Sequence, residues 1–112
     1  MVTDGTQWSS DPTCSLARIQ ELANKQQVIY ESSRVQRDVA NLNYSLSTVC
    51  DCICALTADD FKESVLYPGS KLWYDVYKIK YIGIEPYVDS LYIKLALSGD
   101  CLRVVLFSFH PD

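Results

Sequence analysis

Polar side chains that can bind phosphate or move a proton alternate with apolar ones in the last third of this chain. Tyr92 and Lys94 lie in one apolar run, and Ser108 and His110 lie in another. Because successive side chains of a strand point to opposite faces, each pair shares one face. His110 is the only histidine, and an imidazole titrates near neutrality, so it is a candidate general acid or base. Such a face suits a charged ligand better than core packing.

An earlier strand carries two more cations of the same kind. Lys78 and Lys80 have the same parity as Tyr74. Lysines on one strand face bind phosphate, and tyrosines stack on bases. The competing interpretation is a solvated outer face whose lysines oppose edge-to-edge pairing. Composition alone favours this second interpretation.

The strands that carry these residues are predicted over 71–82, 87–97 and 101–109. A turn at 83–86 and a three-residue loop at 98–100 connect them. This loop length pairs Leu97 with Cys101 and places Tyr92 opposite Leu106. In this register Val105, Phe107 and Phe109 are predicted to face the helices, and the opposite face is predicted to carry Tyr92, Lys94, Ser108 and His110. His110 then lies about 13 Å further along its strand, so the two cannot contact one phosphorus atom without a bulge or a bend.

Helices are predicted before the strands, over 16–25, 33–42 and 46–56, with a short fourth helix from Thr57 to Val65. A β-prone run at 27–30 lies between the first two, and the polar residues 1–12 are expected to be a flexible tail. This order predicts an α+β fold, with N-terminal helices packed on one face of a small antiparallel sheet. Residues 13–112 are expected to form one domain.

Charge and cysteine usage narrow the function classes. The net charge is −4, with nine acidic and five basic residues in 1–66 and five of each in 67–112. The chain as a whole lacks the basic face of a nucleic-acid binder, although its C-terminal part repels phosphate less. No apolar run approaches the ~20 residues of a membrane span, and no signal peptide is evident, so a cytoplasmic location is expected.

The five cysteines are better explained by packing than by chemistry. The Cys50-x-Cys52-x-Cys54 spacing differs from the C-x-x-C of metal pairs, and an odd number argues against a full disulfide framework. Asp59 and Asp60 oppose a helix dipole more simply than they form a catalytic pair. We therefore expect no metal and no cofactor. A cysteine-dependent enzyme stays a further alternative, without a local motif to support it.

Four segments, in order, resemble the MqsR (motility quorum-sensing regulator) toxins of bacterial toxin–antitoxin pairs. They are Leu56-Thr-Ala-Asp-Asp-Phe61, Leu72-Trp-Tyr-Asp-Val-Tyr77, Leu91-Tyr-Ile-Lys94 and Leu106-Phe-Ser-Phe109. The resemblance implies a RelE-like fold and a metal-independent endoribonuclease that cleaves mRNA and arrests growth. It also implies a cognate antitoxin with a zinc-bearing domain and a helix-turn-helix domain.

The resemblance carries over to the site residue by residue. Tyr92 matches the family tyrosine, His110 stands where a lysine is usual, and Tyr74 stands where a glutamine is usual. A further family lysine falls on Glu63, with Lys62 one position earlier, a shift that on a helix turns the side chain by ~100°. The expected catalytic set is His110, Tyr92, Lys62 and Tyr74, and the expected RNA-binding set is Lys94, Lys78, Lys80 and Trp73.

These residues suggest two functions. In the first, His110 is the base or acid of RNA cleavage, Tyr92 donates to the phosphate, and lysines stabilise its charge. In the second, activity is lost and the protein only binds an antitoxin or another partner through a strand edge. The negative net charge of the chain favours this alternative, as does the acidic Glu63 at a position where a lysine is usual.

Overall fold

Apolar side chains at helical spacing produce three helices in the N-terminal half. The computed structural model describes residues 5–112, in which α1 spans Leu16–Asn24, α2 Ser33–Asn41 and α3 Leu46–Ala55. Ser15 and Ser45 cap α1 and α3, because each hydroxyl accepts a hydrogen bond from a backbone N–H of the first turn. These three predicted helices are confirmed. None of the helices in residues 5–112 is long and apolar enough to cross a membrane.

The sheet has six strands in the order β1-β3-β4-β5-β6-β2. The strands are β1 Gln7–Ser9, β2 Val28–Tyr30, β3 Phe61–Leu66, β4 Trp73–Ile84, β5 Tyr87–Leu97 and β6 Val104–Pro111. All neighbours are antiparallel except β2 and β6, which are parallel. Because the helices precede the long strands and the sheet is mostly antiparallel, the predicted α+β class is confirmed.

The helices cover one face of the sheet, which we call the inner face. The core joins buried helix residues such as Ile19, Val39 and Ile53 to the inner-face side chains Tyr77, Leu91, Ile93, Leu95, Leu106 and Phe109. The opposite, outer face carries a second, smaller cluster made of Val65, Tyr74, Val76, Ala96 and Val105. The helix layer therefore leaves the outer face of the sheet open, and the candidate site lies there.

The predicted fourth helix, from Thr57 to Val65, is wrong. A 3₁₀ turn at Ala58–Asp60 is closed by a capping box between Thr57 and Asp60, and the chain then enters β3. Phe61 packs edge-on against Tyr77, with ring centroids 5.6 Å apart, and Val65 pairs with Tyr74. The capping box stabilises only one helical turn. The contacts with β4 therefore outweigh the helical pattern of the residues that follow.

Part of the predicted flexible tail is a strand. Residues 1–4 lie outside the described residues, but Gln7–Ser9 pair with β3 in an antiparallel register that sets Trp8 opposite Val65. This edge strand has three residues and no apolar alternation, so the sequence alone gave no indication of it.

A buried carboxylate fixes the start of α1 to the sheet. Asp75 has no exposed surface, and its oxygens accept hydrogen bonds from Thr13 N at 3.1 Å, Cys14 N at 2.9 Å and Ser64 Oγ at 2.7 Å. The Thr13 hydroxyl donates a further bond of 2.9 Å. Hydrogen bonds of this number satisfy a buried carboxylate without a cation. Asp75 thus joins β3, β4 and the segment before α1.

Replacing Asp75 by alanine is expected to lower the free energy of unfolding by about 3 kcal/mol, because it leaves buried N–H and O–H groups without acceptors. Chemical denaturation of the wild type and the variant measures the change. The matched control is Asp51→Ala, which removes an exposed carboxylate of α3. Equal losses for the two variants would contradict the role given to Asp75.

Candidate active site

A bulge in β6 brings Tyr92 and His110 opposite each other. Leu97 pairs with Val104, Leu95 with Leu106 and Lys94 with Ser108, so one residue of β6, Phe107, is extra. From there to the strand end the pairing is shifted, and Tyr92 faces His110. The predicted register, with Tyr92 opposite Leu106, is therefore wrong. The bulge contributes one residue of the difference, and the rest arises because Leu97 pairs with Val104 and not with Cys101.

The connection between β5 and β6 is also longer than the predicted three residues. It is closed by a hydrogen bond of 2.9 Å from Ser98 N to the Arg103 carbonyl, and Cys101 has a φ of 60° in the left-handed region. Asp100 accepts bonds from Ser98 Oγ at 2.6 Å and Leu102 N at 3.1 Å. These side-chain bonds hold a wider loop than the Ser-Gly-Asp turn signal indicated.

The bulge also redistributes the side chains of β6. Val104, Leu106 and Phe109 pack in the inner core, whereas Val105 and Phe107 pack with the outer-face cluster. Because a bulge interrupts strict alternation, the predicted grouping of Val105 and Phe107 with Phe109 on the helix side is wrong. Period-two patterning by itself cannot locate the extra residue.

Tyr92 and His110 form a stacked pair on the outer face. Their ring centroids are 5.0 Å apart and the planes differ by 11°. Nδ1 of His110 lies 2.8 Å from the Pro111 carbonyl oxygen. A carbonyl oxygen only accepts hydrogen bonds, so this contact requires a proton on Nδ1. In the neutral ring Nε2 then carries the lone pair and can accept a proton from a ligand.

Lys94 is a nearly buried cation beside this pair. It is 9% exposed, its Nζ donates to Tyr67 Oη, and Nζ lies 5.5 Å from the Tyr92 ring centroid. The rings of Tyr67 and Phe107 have their centroids 5.0 and 5.2 Å from the same Nζ. Aromatic faces stabilise the ammonium group by cation–π attraction. A charge held in so little water attracts an anion more strongly than an exposed lysine does.

Three further lysines line one cavity next to the pair. The cavity between β3, β4 and β5, which we call the lysine groove, is bordered by Lys62, Lys78, Lys80, Asp60, Ser90 and Asp112. Lys78 Nζ lies 6.0 Å from the Tyr92 ring centroid and 3.4 Å from Asp112 Oδ1. Asp112 is itself anchored by a 2.8 Å bond from its N–H to the Ser90 carbonyl. Asp60 and Asp112 therefore bring two carboxylates to the groove and partly neutralise its three lysines.

A second bulge turns Lys62 toward the lysine groove. Phe61 pairs with Tyr77 and Glu63 with Val76, so Lys62 is the residue left unpaired. The rotation of ~100° expected on a helix does not apply, because this segment is a strand. Lys62 therefore reaches the cavity that Lys78 and Lys80 line, and Glu63 lies on the outer face beside it.

Two of the expected site residues lie apart from this arrangement. Tyr74 is 7% exposed, with its ring centroid 4.7 Å from that of Phe107, and burial raises the pKa of its hydroxyl. So little exposed ring is left that Tyr74 supports the cluster rather than stacking on a base. Trp73 is half-buried and, by alternation along β4, lies on the opposite face from Lys78 and Lys80.

Sequence reasoning missed three contributors. Tyr67 lies in a segment that the sequence marked only as a break, Phe107 was expected to face the helices, and Asp112 has no motif. The one available indication was for Tyr67, an aromatic residue directly before Pro68-Gly69. Among residues 5–112, no three His, Cys, Asp or Glu side chains are grouped so that they could hold a metal ion.

Comparison with known families places this geometry in context. The family described as motility quorum-sensing regulator, toxin of MqsA, matches residues 11–111, which is nearly the whole chain. The chain belongs to this family. It is therefore a toxin of a toxin–antitoxin system, and its partner is an antitoxin. A search of curated proteins finds no match.

The structure also explains two residues of the segment that carried the resemblance to MqsR toxins. In Trp73-Tyr-Asp-Val-Tyr77, Asp75 is the buried carboxylate that holds the start of α1, and Tyr77 is 1% exposed in the inner core. Burial and hydrogen bonding give both residues a structural role. The most specific part of the resemblance thus concerns the fold more than the chemistry.

Lys94 offers a test of how charge and packing combine in this site. Lys94→Met keeps an unbranched stem against the rings, so we expect its free energy of unfolding to stay within about 1 kcal/mol of wild type. Lys94→Ala removes the stem and is expected to cost about 2 kcal/mol. Urea denaturation of both variants measures this difference. Equal losses for the two variants would show that the ammonium–aromatic contacts, which both variants remove, dominate instead.

Proposed function

We propose that this toxin is an endoribonuclease that cleaves mRNA without a metal ion and thereby arrests growth. The observation that carries the proposal is the stacked Tyr92–His110 pair, which presents a free imidazole nitrogen beside four lysines. A proton acceptor, a proton donor and fixed cations at one surface are what an intramolecular RNA cleavage requires.

The reaction begins at the ribose. His110 Nε2 removes the proton of the 2′-hydroxyl, and O2′ attacks the adjacent phosphorus. The P–O5′ bond breaks, and the Tyr92 hydroxyl gives its proton to the departing O5′. The products are a 2′,3′-cyclic phosphate and a 5′-hydroxyl, and the imidazolium proton returns to the phenolate through solvent. The 5.0 Å between the two ring centroids supports the action of both groups on one phosphate, whereas the register expected from sequence separated them by about 13 Å.

The lysines supply the electrostatic part. Lys94 lies next to Tyr92 in a nearly buried position and is assigned to the phosphoryl oxygens, whose negative charge grows in the transition state. Lys62, Lys78 and Lys80 border the groove and are assigned to neighbouring phosphates. Concentrated in this way, four cations overcome a net charge of −4 that would otherwise repel RNA.

The cellular setting follows from the same proposal. An mRNA substrate places the protein in the cytoplasm. The partner is a cognate antitoxin, for which we propose a zinc-bearing toxin-binding domain and a DNA-binding helix-turn-helix domain. A neighbouring reading frame with four zinc-type cysteines and a helix-turn-helix would support this partner.

One observation favours the non-catalytic alternative. Glu63, Asp60 and Asp112 place three carboxylates beside the lysines that would bind phosphate. A protein that only binds its antitoxin would tolerate them. Growth arrest on expression, relieved by His110→Ala, would exclude this alternative.

Removing either member of the stacked pair is expected to abolish most cleavage. His110→Ala should lower kcat/KM for a single-stranded RNA by about 10²–10⁴-fold through loss of the base, and Tyr92→Phe by at least about 10²-fold through loss of the proton donor. Initial rates with end-labelled RNA measure both, and a substrate with 2′-deoxyribose at the cut position should resist cleavage.

The matched control is Tyr87→Phe, which removes the hydroxyl of a 69% exposed tyrosine at the tip of the β4–β5 hairpin. Its activity should equal that of the wild type. Undiminished cleavage by both His110→Ala and Tyr92→Phe would refute the assignment of these two residues.

The ion pair between Lys78 and Asp112 predicts a variant that binds RNA more tightly. Asp112→Asn removes the carboxylate 3.4 Å from Lys78 Nζ, so the RNA affinity should rise a few-fold at low salt and less at high salt. Fluorescence anisotropy with a 2′-O-methyl RNA, which cannot be cleaved, measures the affinity. Glu85→Gln, in the β4–β5 turn, is the control of equal charge change. An unchanged affinity for Asp112→Asn would mean that Lys78 does not contact RNA.

A further inference from the structure

A second cavity on the outer face contains an exposed tryptophan outside the proposed catalytic site. It is lined by Trp8, Ser9 and Ser10 from the N-terminal segment and by Lys62 and Glu63 from β3. Trp8 is 63% exposed, although tryptophan is highly buried on average. The family match begins at residue 11, so this side chain belongs to the part of the chain outside that match.

The register of β1 directs Trp8 to the same face as the stacked pair. Trp8 is opposite Val65, which belongs to the outer-face cluster, so the indole also lies on the outer face. Glu63 is two residues from Val65 on β3 and is therefore the diagonal neighbour of Trp8, with Cβ atoms about 7–8 Å apart. An aromatic plane and a carboxylate are thus held on one side of the sheet.

Both groups are available to a ligand. Within residues 5–112 the Glu63 carboxylate forms no hydrogen bond or ion pair, and no hydrogen bond uses the Trp8 indole N–H. An exposed indole stacks on an unpaired base, and a carboxylate accepts from an exocyclic amino group. Uracil has carbonyl oxygens and no exocyclic amino group, so its single N3–H donor lies between two oxygens that repel the carboxylate.

Lys62 connects this cavity to the lysine groove, because it lines both. From Trp8 to Tyr92 the sheet extends about 14 Å across three strand spacings and about 13 Å along the strands. A single RNA strand with one phosphate at Tyr92–His110 and another at Lys62 would carry a base to Trp8 a few nucleotides from the cut. The two cavities are therefore arranged along one strand.

We propose that Trp8 and Glu63 form a subsite for an unpaired RNA base that carries an exocyclic amino group. The inference rests on the proposed function, since it takes RNA as the ligand. It assigns to Glu63 a role as a base acceptor, in place of the phosphate contact that a lysine would make at this position. Lys62, which borders both cavities, is assigned to phosphate, and Glu63 is assigned to discrimination between bases.

The test separates base recognition from cleavage by using 2′-O-methyl RNAs, which bind without being cut. In a Trp73→Phe background, Trp8 is the only tryptophan and reports stacking through quenching of its fluorescence. We expect Trp8→Ala to weaken RNA binding about tenfold or more, and Trp8→Phe to keep most of the wild-type affinity. Fluorescence anisotropy measures the affinity of each variant. Tyr87→Ala, which removes another exposed aromatic, is the control and should bind as the wild type does.

Base preference tests Glu63 directly. RNAs that contain only uracil upstream and downstream of the cut should bind more weakly than RNAs with adenine, cytosine or guanine there. Glu63→Gln should reduce this difference, because an amide both donates and accepts. Equal binding of all RNAs by the wild type, or an unchanged preference in Glu63→Gln, would contradict the role of Glu63.

The outcomes distinguish the two proposals. If the wild type binds RNA in a Trp8-dependent way but never cleaves it, the endoribonuclease proposal fails and the subsite stands. If cleavage and binding by Trp8→Ala both equal those of the wild type, the subsite is refuted and the endoribonuclease stands. Loss of antitoxin binding alone in Trp8→Ala would assign the surface to a protein partner and likewise refute the base subsite.

Discussion

The one-residue bulge at Phe107 is the constraint on which the candidate site depends. Without it, the register of Leu97 with Val104 would continue along β6, and Tyr92 would face Phe109 while His110 turned to the helix side. Phe107 lies on the outer face, where its ring is near the Lys94 ammonium group, and the extra residue returns Phe109 to the inner core and sets the imidazole beside the Tyr92 ring. A single irregularity of pairing thus creates the stacked pair next to the aromatic support of the cation.

The outer face also shows how a chain of negative net charge can gather positive charge on one surface. Three aromatic rings compensate Lys94 for much of the water it loses, so the cation does not need a carboxylate partner. Elsewhere on the outer face, carboxylates offset the positive charge of the lysines, since Asp112 contacts Lys78 and Glu63 lies beside Lys62. The field at the surface is therefore set by the local arrangement of the lysines and not by composition.

Sequence patterns predicted the features that depend on hydrophobic periodicity and on helix capping. These are helices α1 to α3, strand β5, and the shared face of Tyr92, Lys94 and His110. They failed wherever a tertiary partner decided the outcome. β3 replaced a helix because Phe61 and Val65 find partners on β4, and Gln7–Ser9 became a strand only because β3 offers an edge. Both bulges, and with them the positions of Lys62 and His110, leave no mark in local alternation.

The position of β6 between β5 and β2 has a consequence during synthesis. β2 is made early but pairs only with β6, so its edge has no partner until residues 104–106 emerge from the ribosome. The strand that completes the sheet is also the strand that carries His110. In a nascent chain, β5 and β2 therefore have no strand between them. The outer face is complete only after β6 has paired with both. This order links the appearance of the candidate site to the completion of the fold.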